Sequence, residues 1–169
     1  MYFVPYWCPC HCHLNVPIHP YSGPLPVQGN NPRHEVLRDY GKQPFVLNIN
    51  EAAKQNNTFR TAIWTGDHLQ VTLMSIGVGE DIGLETHPSV DQFLRIEEGQ
   101  GLVRMGDTRD NLNFEARVHD DSAIMVPAGK WHNLINTGNI PLRLYTIYAP
   151  PEHPFGTVHR TRADAMAAE

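Results

Sequence analysis

Glu85 and His87 stand two residues apart in a run that reads as a β-strand, so their side chains face the same way and offer an oxygen and a nitrogen to one point. Such a chelating pair needs partners. Pro88-Ser89-Val90-Asp91 turns the chain, and the next strand can supply a third ligand from Asp91 or Gln92. With Asp91 inward, Phe93, Arg95 and Glu97 follow it and two charges are buried; with Gln92 inward, Leu94 and Ile96 follow. Register favours Gln92. His132 comes just after a turn in which Pro127 presets φ and Gly129 can take a positive φ, and it completes the set. Glu85, His87, Gln92 and His132 supply one carboxylate and three neutral donors, a set that suits one divalent transition metal among Mn, Fe, Ni and Zn. Gln92, a weak neutral donor, can alternatively hold a metal-bound water or a substrate.

These side chains need elements to carry them. From Phe59 to Tyr148, short β-branched and apolar runs are separated by Gly, Asp, Asn and Pro at fairly regular intervals, the pattern of an all-β domain. Strands are predicted over residues 61–65, 69–78, 85–87, 92–97, 101–105, 114–118, 123–126, 132–136 and 142–148. Closing them into two Greek-key sheets hides most edges. Asn48 is placed to cap a short helix that ends at Gln55-Asn56-Asn57, and residues 163–169 read as a short, frayed terminal helix.

Two motifs run through this region. The segment Asp121-x5-Pro127-x-Gly129-x2-His132-x3-Asn136 resembles the second cupin motif, G-x5-P-x-G-x2-H-x3-N, with Asp121 in place of the first Gly. Upstream, Gly79-x5-Glu85-Thr86-His87-x4-Gln92-x6-Gly99 resembles the first cupin motif in spacing, with Glu85 where the first His is usual and Gln92 where the Glu is usual. The substitutions compensate: one carboxylate is lost and one gained. The resemblance implies a double-stranded β-helix, or jelly-roll barrel, with a metal inside it, and a homodimer. Both faces of 61–65 and 69–78 are apolar, which also asks for a cover beyond the barrel core.

Length and composition set the frame. A chain of 169 residues is sized for one domain, divided into an irregular Pro/Cys/His-rich arm (1–43), a barrel (44–150) and a tail with a short helix (151–169). Hydrophobic residues at 41% and charged residues at 18% are ordinary globular usage. A net charge of −5 with no basic stripe argues against nucleic acid as a partner. The longest apolar runs fall far short of the roughly 20 residues that cross a bilayer, so no membrane partner is expected. Cys8, Cys10 and Cys12 are too close together to staple distant parts of a domain. With His11, His13 and His19 they could capture a metal or exchange disulfides between molecules. The N-terminus lacks a charged, apolar leader pattern, so the cytoplasm is the expected location. The arm also resembles the tails of spore-coat proteins, which makes the coat the alternative location.

Cupins include isomerases, epimerases, dioxygenases, decarboxylases, lyases and plain binders, so the fold names no reaction. Gln at the third-ligand position resembles some sugar-processing cupins and points to metal-dependent isomerase or lyase chemistry on a small sugar or keto acid. The alternative is a non-catalytic metal- or ligand-binding module, or a structural coat component. Lys130, Trp131, Met105, Met125, Tyr145 and Tyr148 are candidate pocket residues and Arg104 a candidate partner for a substrate carboxylate, although ordinary packing of a small barrel explains the aromatic and Met residues as well. No catalytic residue is assigned.

Overall fold

A computed structural model describes residues 36–168; the Cys8, Cys10, Cys12, His11, His13 and His19 cluster lies outside the described residues. Asn48 caps α1 (Ile49–Gln55) by accepting from the Glu51 amide at 3.3 Å, and Asn56 ends it in extended conformation. Strands follow: β1 (Arg60–Thr65), β2 (Gln70–Ile76), β3 (Asp91–Glu98), β4 (Gln100–Gly106), β5 (Phe114–His119), β6 (Ala123–Val126), β7 (Trp131–Asn136), β8 (Leu142–Ala149) and β9 (Val158–His159). A short helix α2 (Arg162–Met166) comes last. Among the described residues, no helix is long and apolar enough to cross a membrane.

The strands form a six-stranded sheet, β6-β3-β8-β2-β1-β9, and a three-stranded sheet, β5-β4-β7, with every pairing antiparallel. The fold is an all-β double-stranded β-helix. Alternation along each strand fills the space between the sheets with Met74, Ile76, Ile96, Leu134 and Leu144, all fully buried. The outer face of β1 and β2 is apolar too, and the chain covers much of it itself. Ala52 and Ala53 of α1, with Leu37, Leu47 and Ile49, pack on Ile63 and Leu73.

Two local features differ from the sequence expectation, and a third accounts for a departure from the motif. Residues 85–87 are not a continuous strand: only Glu85 bridges to the small sheet, because Gly83 at φ +93° and the turn at Pro88 interrupt the ladder. The terminal segment also differs from the frayed helix expected over 163–169. β9 pairs with β1, and α2 starts at Arg162, where Thr161 and Asp164 form a reciprocal capping box that seats a fully buried Ala165. Finally, Asp121, in place of the motif's Gly, sits at φ +67°, the conformation that makes Gly usual there.

Candidate metal centre

Glu85 and His132 are directly opposed. The Glu85 amide donates to the His132 carbonyl at 3.1 Å and the His132 amide to the Glu85 carbonyl at 2.9 Å, so both side chains leave the same face of the pair. The motif turn is tied to the other motif twice. Gly129, at φ +79°, donates its amide to the His87 carbonyl at 2.8 Å, and the Ala128 amide donates to Asp91 Oδ1 at 2.8 Å. Asp91 therefore points outward, and Gln92, Leu94 and Ile96 point inward and are buried, as the register argument requires. Glu97 is buried as well, on the opposite face, where Asn50 of α1 and Arg95 bind it.

Glu85 Oε1 lies 3.4 Å from His87 Nε2 and 3.3 Å from His132 Nε2. The structure thus brings three of the four sequence-predicted side chains together, each offering one ligand atom. Two donors about 2.1 Å from one ion lie roughly 3.0 Å apart at a right angle and roughly 3.4 Å apart at the tetrahedral angle, so these spacings fit a cation. The far nitrogens are also arranged for one. His132 Nδ1 is 3.0 Å from the Lys130 carbonyl, which can only accept, and His87 Nδ1 is 3.1 Å from Glu152 Oε1. With each ring's proton on Nδ1, the tautomer a bound ion requires, the two Nε2 lone pairs are free for that ion. Gln92 enters from the large sheet: its Nε2 donates to Thr146 Oγ1 at 3.3 Å. Glu85 Oε1, His87 Nε2, Gln92 Oε1 and His132 Nε2 are all buried without a hydrogen-bond partner among the described residues. Buried polar atoms are nearly always paired, so four unpartnered atoms of ligand type from the two motifs suit a cation.

The electrostatics agree. Burial pushes the Glu85 carboxyl up, but the imidazoles of His132 and His87 and the Arg60 guanidinium outweigh it and hold the carboxyl at about 2. Glu85 is therefore anionic at neutral pH. Tyr148 is fully buried, its ring edge-on to His87 at 5.7 Å, and burial pushes its hydroxyl up to about 12. It stays protonated.

Sequence reasoning missed Arg60, Glu152, His153 and His159. Arg60 lay just outside the strand expected over 61–65, yet β1 begins at it, is buried on both faces, and Arg60 takes the inner one. Glu152 and His153 follow Pro150-Pro151, where no periodic signal exists. Of the other pocket candidates, Tyr148 faces the interior, while Tyr145 packs against the outer cluster under α1. Met125 is 66% exposed, and Arg104 is paired on the surface with Glu115 at 2.8 Å. Arg104 is therefore not placed to hold a ligand inside the barrel. Lys130 likewise pairs with Asp107 at the surface.

Comparison with known proteins follows the same lines. The family described as the cupin domain matches residues 72–148. The chain is 72% identical over 137 residues to the YrkC protein of Bacillus subtilis (strain 168), a match that spans 81% of this chain and 74% of that one. The crystal structure of BH2720 from Bacillus halodurans is 67% identical and superposes with a TM-score of 0.76, over 77% of this chain and 98% of that chain. A double-stranded β-helix protein from Klebsiella pneumoniae, 15% identical, shares the fold at a TM-score of 0.54 over 69% of this chain and 98% of that one. With the family matched over 72–148, the segment that holds Glu85, His87 and His132, and a relative 72% identical over most of both chains, the chain belongs to the cupin superfamily.

Proposed function

We propose that the protein is a metal-dependent enzyme of the isomerase or lyase type that acts on a small sugar or keto acid, with one divalent transition metal held by Glu85, His87, Gln92 and His132. The supporting observation is the set of four buried ligand-type atoms from these side chains that have no hydrogen-bond partner among the described residues. Two imidazole nitrogens and two oxygens are compatible with Mn, Fe, Ni or Zn. When bound, the ion supplies Lewis-acid polarisation of a ligand oxygen. The chain's own groups do the rest. Glu152 and the Lys130 carbonyl fix the two imidazole rings, Arg60 offsets the Glu85 charge, and Tyr148 keeps a neutral hydroxyl beside His87. The barrel interior excludes most water, because the Glu85, His87 and His132 side chains are only 10%, 9% and 2% exposed.

That near closure also favours a second reading, a non-catalytic ligand-binding or coat cupin, since turnover requires a route in and out. The two readings separate in deuterium oxide. Metal-loaded protein mixed with a panel of aldoses, uronates and 2-oxo acids should catalyse exchange of the hydrogen next to a carbonyl, followed by proton NMR. Full metal content with no exchange on any member supports the non-catalytic reading instead. We further place the protein in the cytoplasm as a homodimer, with residues 1–43 as an arm, 44–150 as the barrel and 151–169 as the tail.

A further inference from the structure

Arg60 is the only Lys or Arg that is buried among the described residues, at 1% exposure. It lies on the inner face of β1, opposite Met74 of β2 and His159 of β9. Its Nη2 is 3.9 Å from Glu85 Oε2, beyond hydrogen-bond length, and its Nε and Nη1 are buried with no acceptor among the described residues. Buried guanidinium donors without acceptors are among the costliest groups a fold can leave, and a counter-charge for Glu85 alone explains neither nitrogen. The two imidazoles nearby do not share the role of cation. Burial and then the Arg60 charge push His153 down to about 3 and His159 down as well, so both are neutral at pH 7.

A second unpartnered group lies on the same inner face. Thr72, across the ladder from Ala62 and Thr146, has a buried Oγ1 without a partner, and Thr146 is the residue that holds Gln92. The row from Gln92 through Thr146 and Thr72 toward Arg60 therefore runs from the candidate metal ligands to a guanidinium whose Nε and Nη1 lack acceptors among the described residues, past small side chains. Charge selects the occupant. Glu85 and Glu152 contribute two negative charges, Arg60 one positive, and a divalent ion two positive, so the surroundings carry one positive charge in excess. A monoanion cancels it, a neutral sugar leaves it, and a phosphate dianion overshoots. A planar carboxylate also matches the geometry of a guanidinium.

We propose that Arg60 receives the carboxylate of the protein's ligand, and that the ligand is a small monocarboxylate of the 2-oxo or 2-hydroxy acid class with a further oxygen within reach of Thr72. This rests on the metal-dependent reading above and narrows its substrate class. The test is calorimetric titration of the metal-reconstituted full chain with pyruvate, with its neutral amide pyruvamide and with inorganic phosphate, alongside elemental analysis. Pyruvate should bind, and pyruvamide and phosphate should each bind at least about tenfold more weakly. Arg60→Met should keep its metal and lose at least about tenfold in pyruvate affinity, and Arg60→Lys should recover part of it. Should Arg60→Met fail to fold, the comparison of pyruvate with pyruvamide on the wild type still decides. A wild type that takes up no metal sinks the metal-dependent reading and this one with it. Metal uptake with no pyruvate binding, with equal binding of pyruvamide, or with tighter binding of phosphate overturns the assignment of Arg60 alone.

Discussion

His87 and His132 present the same nitrogen to Glu85 but are held from behind by different groups, a carboxylate for His87 and a backbone carbonyl for His132. A carboxylate raises ring basicity more than a carbonyl does, so Glu152 should matter to metal affinity although it touches no metal. Glu152→Gln is expected to weaken metal binding about 10- to 100-fold in competition with a chelating dye. An unchanged affinity would show that Glu152 only packs. Protons compete for the same site. Burial pushes His87 down, but Glu85 and Glu152 outweigh it and raise the imidazole above its ordinary 6.5. Apparent metal affinity should therefore fall as pH drops through that raised value, by about tenfold per unit for each proton displaced. In metal-free protein the same shift acts on stability in the other direction: the contribution of charged His87 is full below 6.5 and fades as pH rises through the raised value. Dye competition across that range checks the first, and acid and neutral melting curves of stripped protein check the second. At this scale, the convergence of Glu85, His87 and His132 was legible, because a two-residue period and a Pro/Gly turn fix direction locally. Arg60 and Glu152 were not, since one depends on a helix covering the far face of β1 and the other on a non-periodic bend after two prolines.

The elements that carry these side chains have their own weak points. Glu97 has a fully buried side chain under α1, bound by Arg95 and by Asn50 Nδ2 at 2.6 Å. Arg95→Met removes the charged partner and leaves a buried carboxylate with one neutral donor, which should cost about 2–3 kcal/mol of unfolding free energy in urea. A loss under about 0.5 kcal/mol would mean that Asn50 alone satisfies Glu97. At the other end, Thr161→Ala breaks the capping box of α2 and should cost about 1 kcal/mol, read as a lower melting temperature. No change would show that buried Ala165, not the cap, holds the helix. Most strands were legible from alternation and turn residues, including β3, whose inward Gln92 followed from the cost of burying Arg95. The same reasoning did not foresee that Glu97 would be buried anyway, because a strand covered on both faces has no solvent side. Nor did it foresee that 85–87 would reduce to one bridge, because Gly83 breaks the ladder through a positive φ that the spacing does not reveal.

At the scale of the whole molecule, the apolar outer face of β1 and β2 had suggested a partner subunit, but α1 and residues 37–49 cover part of it from within the chain. What remains is a groove of about 460 Å³ edged by Phe45, Leu47, Trp64, Leu69 and Val71. Light scattering of the full chain is expected to give the mass of two chains, and a monomer at all concentrations would leave α1 as the whole cover. A bound ion should also stabilise the fold by mass action, about 2.7 kcal/mol when free metal is 100 times its dissociation constant. All of this depends on one cation joining the two motifs. Elemental analysis of purified wild type, Glu85→Ala and His132→Ala tests it most directly. About one equivalent of Mn, Fe, Ni or Zn per wild-type chain, and less than about a tenth in both variants while they still melt cooperatively, is the expected result. Full metal content in either folded variant, or none in the wild type after reconstitution, would contradict it.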